Sequence, residues 1–225
     1  MSITRTTGIC KTISFAALAF ALLAGAKAAD AQDRDGLWEF TLGTFYQLGT
    51  SFDGDEGSTL DTDDDFGFSI GGGYNFSDRL ATNFAFQWAG VGYDAKVVGE
   101  DGGVTGIKGS YDAFAVSANA IVNLTEEPLT PYVGAGIGWT WVDTNIPSGL
   151  PATGCWWDPW WGFICTTTYP TKTESAFSYQ AVAGVRYDFF STFIRLNYTS
   201  QWLDFGSFSS TPRFDVIGLD FGWKF

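Results

Sequence analysis

The chain has 225 residues, with 25 acidic and 12 basic side chains and no histidine; its formal net charge of −13 disfavours nucleic acid and anionic surfaces. Aromatic residues make up 18% of it and charged residues only 16%, beside 28 glycines, a balance that suits short alternating strands and argues against amphipathic helices. Without imidazole, and without two carboxylates placed together at one strand height, no enzymatic activity, no cofactor and no metal are expected.

The chain opens with a segment that reads as export information. Residues 1–11 carry Arg5 and Lys11 and no acid, residues 13–24 are apolar, and residues 25–31 (GAKAADA) are small, with two A-x-A sites. These are the regions of a secretory signal, too short to span a bilayer, so residues 1–29 are expected to be removed, with cleavage after residue 31 as the alternative. Cys10 precedes the apolar run, where no lipoprotein cysteine stands, and leaves with the signal. Loss of Arg5, Lys11 and Lys27 leaves nine basic residues against 25 acidic ones, a net charge of −16. Beyond residue 24 no apolar stretch approaches the roughly 18 residues of a transmembrane helix, which leaves a soluble exported β protein or a membrane barrel over residues 36–225.

Eight segments then alternate large apolar residues with small or polar ones, the period of a strand with two unlike faces. They run over residues 38–52, 66–76, 80–88, 114–124, 133–141, 177–187, 194–202 and 217–225, the first carrying Phe52 on its apolar face. The opposite faces hold Gly43, Gly71, Gly136, Gly218 and Gly222 beside Asn83, Gln87, Asn119, Gln180, Asn197 and Gln201. Such small, uncharged polar residues fit the narrow lumen of an eight-stranded barrel. Joins alternate in length: 77–79, 125–130 and 188–191 are short, whereas 53–65, 94–109, 143–173 and 204–212 are long. Short periplasmic turns and long external loops give that rhythm in an outer-membrane barrel. A secreted β-sandwich is the competing reading; it needs continuous bulky faces and has no cause for the rhythm.

PYVGAGIGW (residues 131–139), AGVRYDF (183–189) and the closing aromatic strand resemble the small outer-membrane β-barrel family related to the transmembrane domain of outer-membrane protein A. The resemblance implies an all-β, eight-stranded antiparallel up-and-down transmembrane barrel in the bacterial outer membrane. It also implies insertion by the barrel-assembly machinery, which in this family recognises the last strand, here through Phe221, Trp223 and Phe225. The sequence stops at Phe225, so no peptidoglycan-binding domain is expected. Outer-membrane lipid and lipopolysaccharide are the expected surroundings, and a monomer the expected state. A structural, surface-presenting role is expected, with a narrow porin and an adhesin as open alternatives.

Three groups of residues stand out. Glu39, Arg186, Asp188, Arg195, Asp220 and Lys224 fall on lumen faces, mostly near the periplasmic end, and must pair to offset desolvation. Glu39 and Lys224 are expected to meet where the first and last strands close, forming a plug or a gate. Cys155 and Cys165 bracket CWWDPWWGFIC and are expected to form a disulfide worth somewhat under the ~3 kcal/mol of a loop of about 15 residues. Between them Trp156, Trp157, Trp160, Trp161 and Phe163 either fold over the barrel mouth or expose a contact for a partner. The acid-rich join 53–65 reads as a solvated face, because its D-x-D-x-G run lacks the distant glutamate of a calcium loop.

Overall fold

Residues with apolar and small side chains in strict alternation pair as strands, and a barrel lets every strand pair on both sides. The computed structural model describes residues 33–53, 57–98, 103–147, 149–204 and 211–225; the expected signal at 1–29 lies outside them. Among the described residues twelve strands form: β1 (Trp38–Gln47), β2 (Ser51–Asp53), β3 (Thr59–Thr62), β4 (Asp65–Asn75), β5 (Leu80–Val98), β6 (Val104–Asn123), β7 (Leu129–Pro147), β8 (Ala152–Asp158), β9 (Gly162–Thr168), β10 (Thr171–Phe189), β11 (Thr192–Asp204) and β12 (Arg213–Lys224).

Eight of them make a ring in the order β1, β4, β5, β6, β7, β10, β11, β12, every neighbour antiparallel. The ring closes between β1 and β12, with Glu39 opposite Lys224 at one end and Gln47 opposite Val216 at the other. Below that register Trp38 and Phe225 exchange backbone hydrogen bonds at 2.9 and 3.0 Å. No edge strand remains in the ring, the condition for backbone in a bilayer.

The outer face is built for lipid. Leu42, Ile70, Ile137, Leu196 and Leu219 are exposed around its middle. Aromatic rings gather at both borders, the upper by Phe68, Trp88, Trp139 and Tyr179, the lower by Trp38, Tyr74, Tyr187 and Trp223. An apolar band between two aromatic girdles is the surface of a membrane barrel, and water would not tolerate it. Phe221 and Trp223 sit on this face with ring centroids 4.7 Å apart, and Phe225 is exposed just past β12.

Two expectations change above the upper girdle. Two of the long joins are largely strand where they are described: β5 and β6 stay paired from Leu80↔Val122 up to Val98↔Val104, and the longest join carries the β8–β9 hairpin. Alternation ends where lipid ends, since the outward face then meets water as well, while backbone pairing continues. Phe52 is also placed differently. It belongs to β2, and β3 fastens that hairpin to the extension of β5, so Phe52 turns inward and packs on Phe214 with centroids 5.5 Å apart.

Candidate functional site

Three levels of the lumen differ in chemistry. At the periplasmic end Arg34, Arg186, Arg195 and Lys224 are buried together with Glu39 and Asp188. Asp188 is the centre: its carboxylate takes Arg34 Nη2 at 2.8 Å, Arg186 Nη2 at 2.8 Å and Lys224 Nζ at 2.9 Å. Arg186 Nη1 reaches Glu39 Oε1 at 2.7 Å, and Asn75 donates to the same oxygen at 2.8 Å. A little higher Arg195 meets Asp220 at 3.5 Å, and Asn197 donates to that carboxylate at 3.1 Å. Phe193 lies between the two arginines, with Arg186 at 3.9 Å and Arg195 at 5.2 Å from its ring centre, a cation–π stack in a desolvated place.

The register is the expected one, but the ion pairs run otherwise: Glu39 to Arg186, and Lys224 to Asp188. Neighbours in register project side by side into the lumen, whereas side chains from β10 cross it and meet their tips. Arg34 was not legible in the sequence. It precedes β1 in an irregular segment, and it also donates to the Glu127 carbonyl at 2.7 Å and to Thr130 Oγ1 at 2.8 Å, tying the entry segment under the barrel to the β6–β7 turn. The only signal for it is a basic residue just before the first strand.

The middle level is polar and narrow. Gln180 donates to Asn119 Oδ1 at 2.6 Å, and beside Thr41, Asn83, Ser117 and Asn197 they leave a cavity of about 70 Å³. Small residues admit the larger groups: a Cβ on Gly222 would lie on the Phe193 ring, so that position has no room for any side chain.

Outside the barrel, β8 and β9 pair only with each other and are closed by the Cys155–Cys165 disulfide, with Cα atoms 4.1 Å apart. Trp157 opposes Phe163 across the ladder, and Trp156 opposes Ile164. At the tip Asp158 Oδ1 accepts from the backbone N–H of Trp160 at 2.8 Å and of Trp161 at 2.9 Å, an Asx turn followed by Gly162 at φ 78°. Trp160 and Trp161 are 84% and 81% exposed, and Trp156, Trp157 and Phe163 are exposed as well. The acidic join behaves locally: Asp64 accepts from Tyr46 at 3.0 Å, Asp61 accepts from Ser51, and Asp55 and Glu56 lie outside the described residues. On the β5–β6 extension Lys108 donates to Asp94 at 3.0 Å, and this bond raises the ammonium above its ordinary pKa. Among the described residues no group of three or more His, Cys, Asp or Glu side chains is placed to hold a metal ion.

The family model for the outer membrane protein beta-barrel domain matches residues 15–225. The chain belongs to that family, and the bacterial outer membrane is its place. Two solved structures share the fold: the outer membrane protein OprG from Pseudomonas aeruginosa, with 13% identity over 88% of this chain and 99% of that one at a TM-score of 0.53, and Neisserial surface protein A, with 15% identity over 85% and 100% at 0.51. No curated protein sequence matches.

The third level of this outer-membrane barrel overturns an expectation. The external half of the lumen is apolar where small polar residues were expected, with Phe45, Val91, Leu203, Phe214 and Val216 all under a tenth exposed. Phe45, Leu203, Phe214 and Val216 line a cavity of about 440 Å³ below the external mouth. The alternation count misses them because at this height apolar residues occupy both faces, as in Phe45-Tyr46 and Val216-Ile217, and the pattern loses its phase.

Proposed function

We propose that this barrel is a closed, surface-presenting protein whose working parts face outward. The observation that carries the reading is the Asp188 network: three cations on one buried carboxylate, with Arg34 drawn in from outside the strands, fill the periplasmic end of the lumen. Ions crossing there would have to separate buried pairs, each of which is strongly destabilising to break. Export with loss of residues 1–29, assembly through the Phe221, Trp223 and Phe225 strand, a monomeric state and a setting of lipopolysaccharide belong to the same reading.

Recording from the folded protein in planar bilayers tests it. Baseline current is the expected result. Steady unitary openings would overturn the closed reading in favour of the narrow porin.

The β8–β9 hairpin favours a second element, contact with a partner through tryptophan. Four indoles held by a disulfide and an Asx turn offer large, rigid contact area at little conformational cost, as binding hot spots do. Replacing Trp156, Trp157, Trp160 and Trp161 by serine is expected to abolish binding to cells or to purified lipopolysaccharide while the barrel stays folded. Unchanged binding would remove the adhesin reading.

A further inference from the structure

The interior of an eight-stranded barrel is just wide enough for side chains to fill it, and its lumen is ordinarily polar. Here the external half is neither filled nor polar. Ala89, Ala95, Ala113 and Ala115 stand on β5 and β6 where larger residues would close the space, and Phe45, Leu203, Phe214 and Val216 face them across a cavity of about 440 Å³. That volume lies in the range of small-molecule sites, and apolar cavities hydrate poorly and accept apolar guests.

The β2–β3 hairpin completes the wall. The large apolar residues of the β2–β3 hairpin, Phe52 from the end of the first segment and Leu60 from the join, both line the cavity, while Asp61, Asp64 and Asp65 sit outside the lining. Toward the neck the lining becomes uncharged and hydrogen-bonding, with Gln87, Thr140 and Gln201; Gln47 stands higher, above Phe45, where its amide donates to the Tyr111 hydroxyl at 3.4 Å. The charged lining residues, Lys96 and Glu174, are exposed and stand at the external rim.

We propose that this vestibule binds a small apolar molecule carrying one uncharged polar end, of the fatty-alcohol, ketone or lactone class, taken from the external side. The apolar body lies against Phe45, Leu203 and Phe214. The hydroxyl or carbonyl end meets the glutamine amides of the floor, where a carboxylate would find no cation. Binding here requires no passage to the periplasm, so it goes beyond the surface-presenting reading and stands whether or not the lumen conducts.

The test uses the whole mature protein in phosphatidylcholine nanodiscs and a diazirine-bearing decanol, with labelled residues mapped by peptide mass spectrometry. Labelling of Tyr111, Leu203 and Phe214 is expected to saturate and to be competed by plain decanol, while labelling of lipid-facing Ile137 and Leu219 rises linearly with probe. Ala115→Trp, which fills the cavity, should lower lumen labelling about tenfold, the change that a loss of about 1.4 kcal/mol of binding gives, and leave the outer face unchanged. Ala113→Phe, nearer the mouth, serves the same purpose if the first variant does not show the heat-modifiable shift of a folded barrel. Lumen labelling that does not saturate, or that survives both substitutions, would overturn the proposal. So would labelling of the same residues by a diazirine phosphatidylcholine tail that decanol does not displace, since a lipid chain would then be the occupant. No lumen labelling by either probe would mean that the protein's own chain fills the space, and would overturn it too.

Discussion

Arg34 and Asp188, 154 positions apart in sequence, join at 2.8 Å with both side chains shielded from solvent. The contact links the segment entering the barrel to the end of β10, and Asp188 holds Arg186 and Lys224 as well. The partners are therefore unequal. Asp188→Ala leaves buried cations facing one another and is expected to lower stability by about 3–5 kcal/mol. Arg34→Ala leaves Asp188 with two cations, and only the hydrogen bonds of one charged group are lost, about 1.5–3 kcal/mol. Urea unfolding of the refolded barrel in detergent measures both. Equal costs, or the reverse ranking, would mean that Asp188 is not the centre of the ion-pair network.

Gly222 and Phe193 are a fitted pair, because the ring occupies the space a Cβ on Gly222 would need. Gly222→Ala is expected to lower stability by about 1–3 kcal/mol through overpacking. In a Phe193→Ala background the same substitution should cost close to nothing. The two effects adding without coupling would show that the glycine serves the backbone and not the ring.

Reduction of Cys155–Cys165 should act locally. The bridge closes a separation of 10 residues around strands that pair only with each other, so its contribution, under the ~3 kcal/mol of a loop of about 15 residues, belongs to the hairpin. Reductant is expected to speed proteolytic cleavage within residues 152–168 and to leave the unfolding midpoint of the barrel unchanged. A lower midpoint would show that the hairpin supports the ring.

Much of this architecture is legible in the alternation. All eight ring strands, their phase across the bilayer and the Glu39↔Lys224 register follow from residues whose two faces meet unlike surroundings. Legibility fails wherever the two faces stop differing. Above the girdle the outward face is no longer in lipid, and β5 and β6 extend unseen to Val98 and Val104. In the external half of the lumen both faces are apolar, and Phe45, Phe214 and Val216 read as ordinary strand residues. Arg34 is hidden for another reason: its partners lie on Asp188, Glu127 and Thr130, and no local pattern encodes a contact at such separations.

The gate and the plug, two meanings of the same ion pairs, separate in one pair of variants. Glu39→Gln removes a carboxylate from Arg186, and Arg195→Gln removes the partner of Asp220, each expected to lower stability by about 1.5–3 kcal/mol. Neither should raise conductance. Above the pairs the neck is already narrow, with Gln180 bonded to Asn119 at 2.6 Å and a cavity of only about 70 Å³ between the walls. An ion must pass both levels in series, so loosening the lower one leaves the upper one shut. A plug thus predicts weaker barrels that stay at baseline current, whereas a gate predicts current from Glu39→Gln at undiminished stability. Planar-bilayer recording beside urea unfolding of the same preparations distinguishes them, and a rise in current would require the Gln180–Asn119 bridge to open together with the ion pairs.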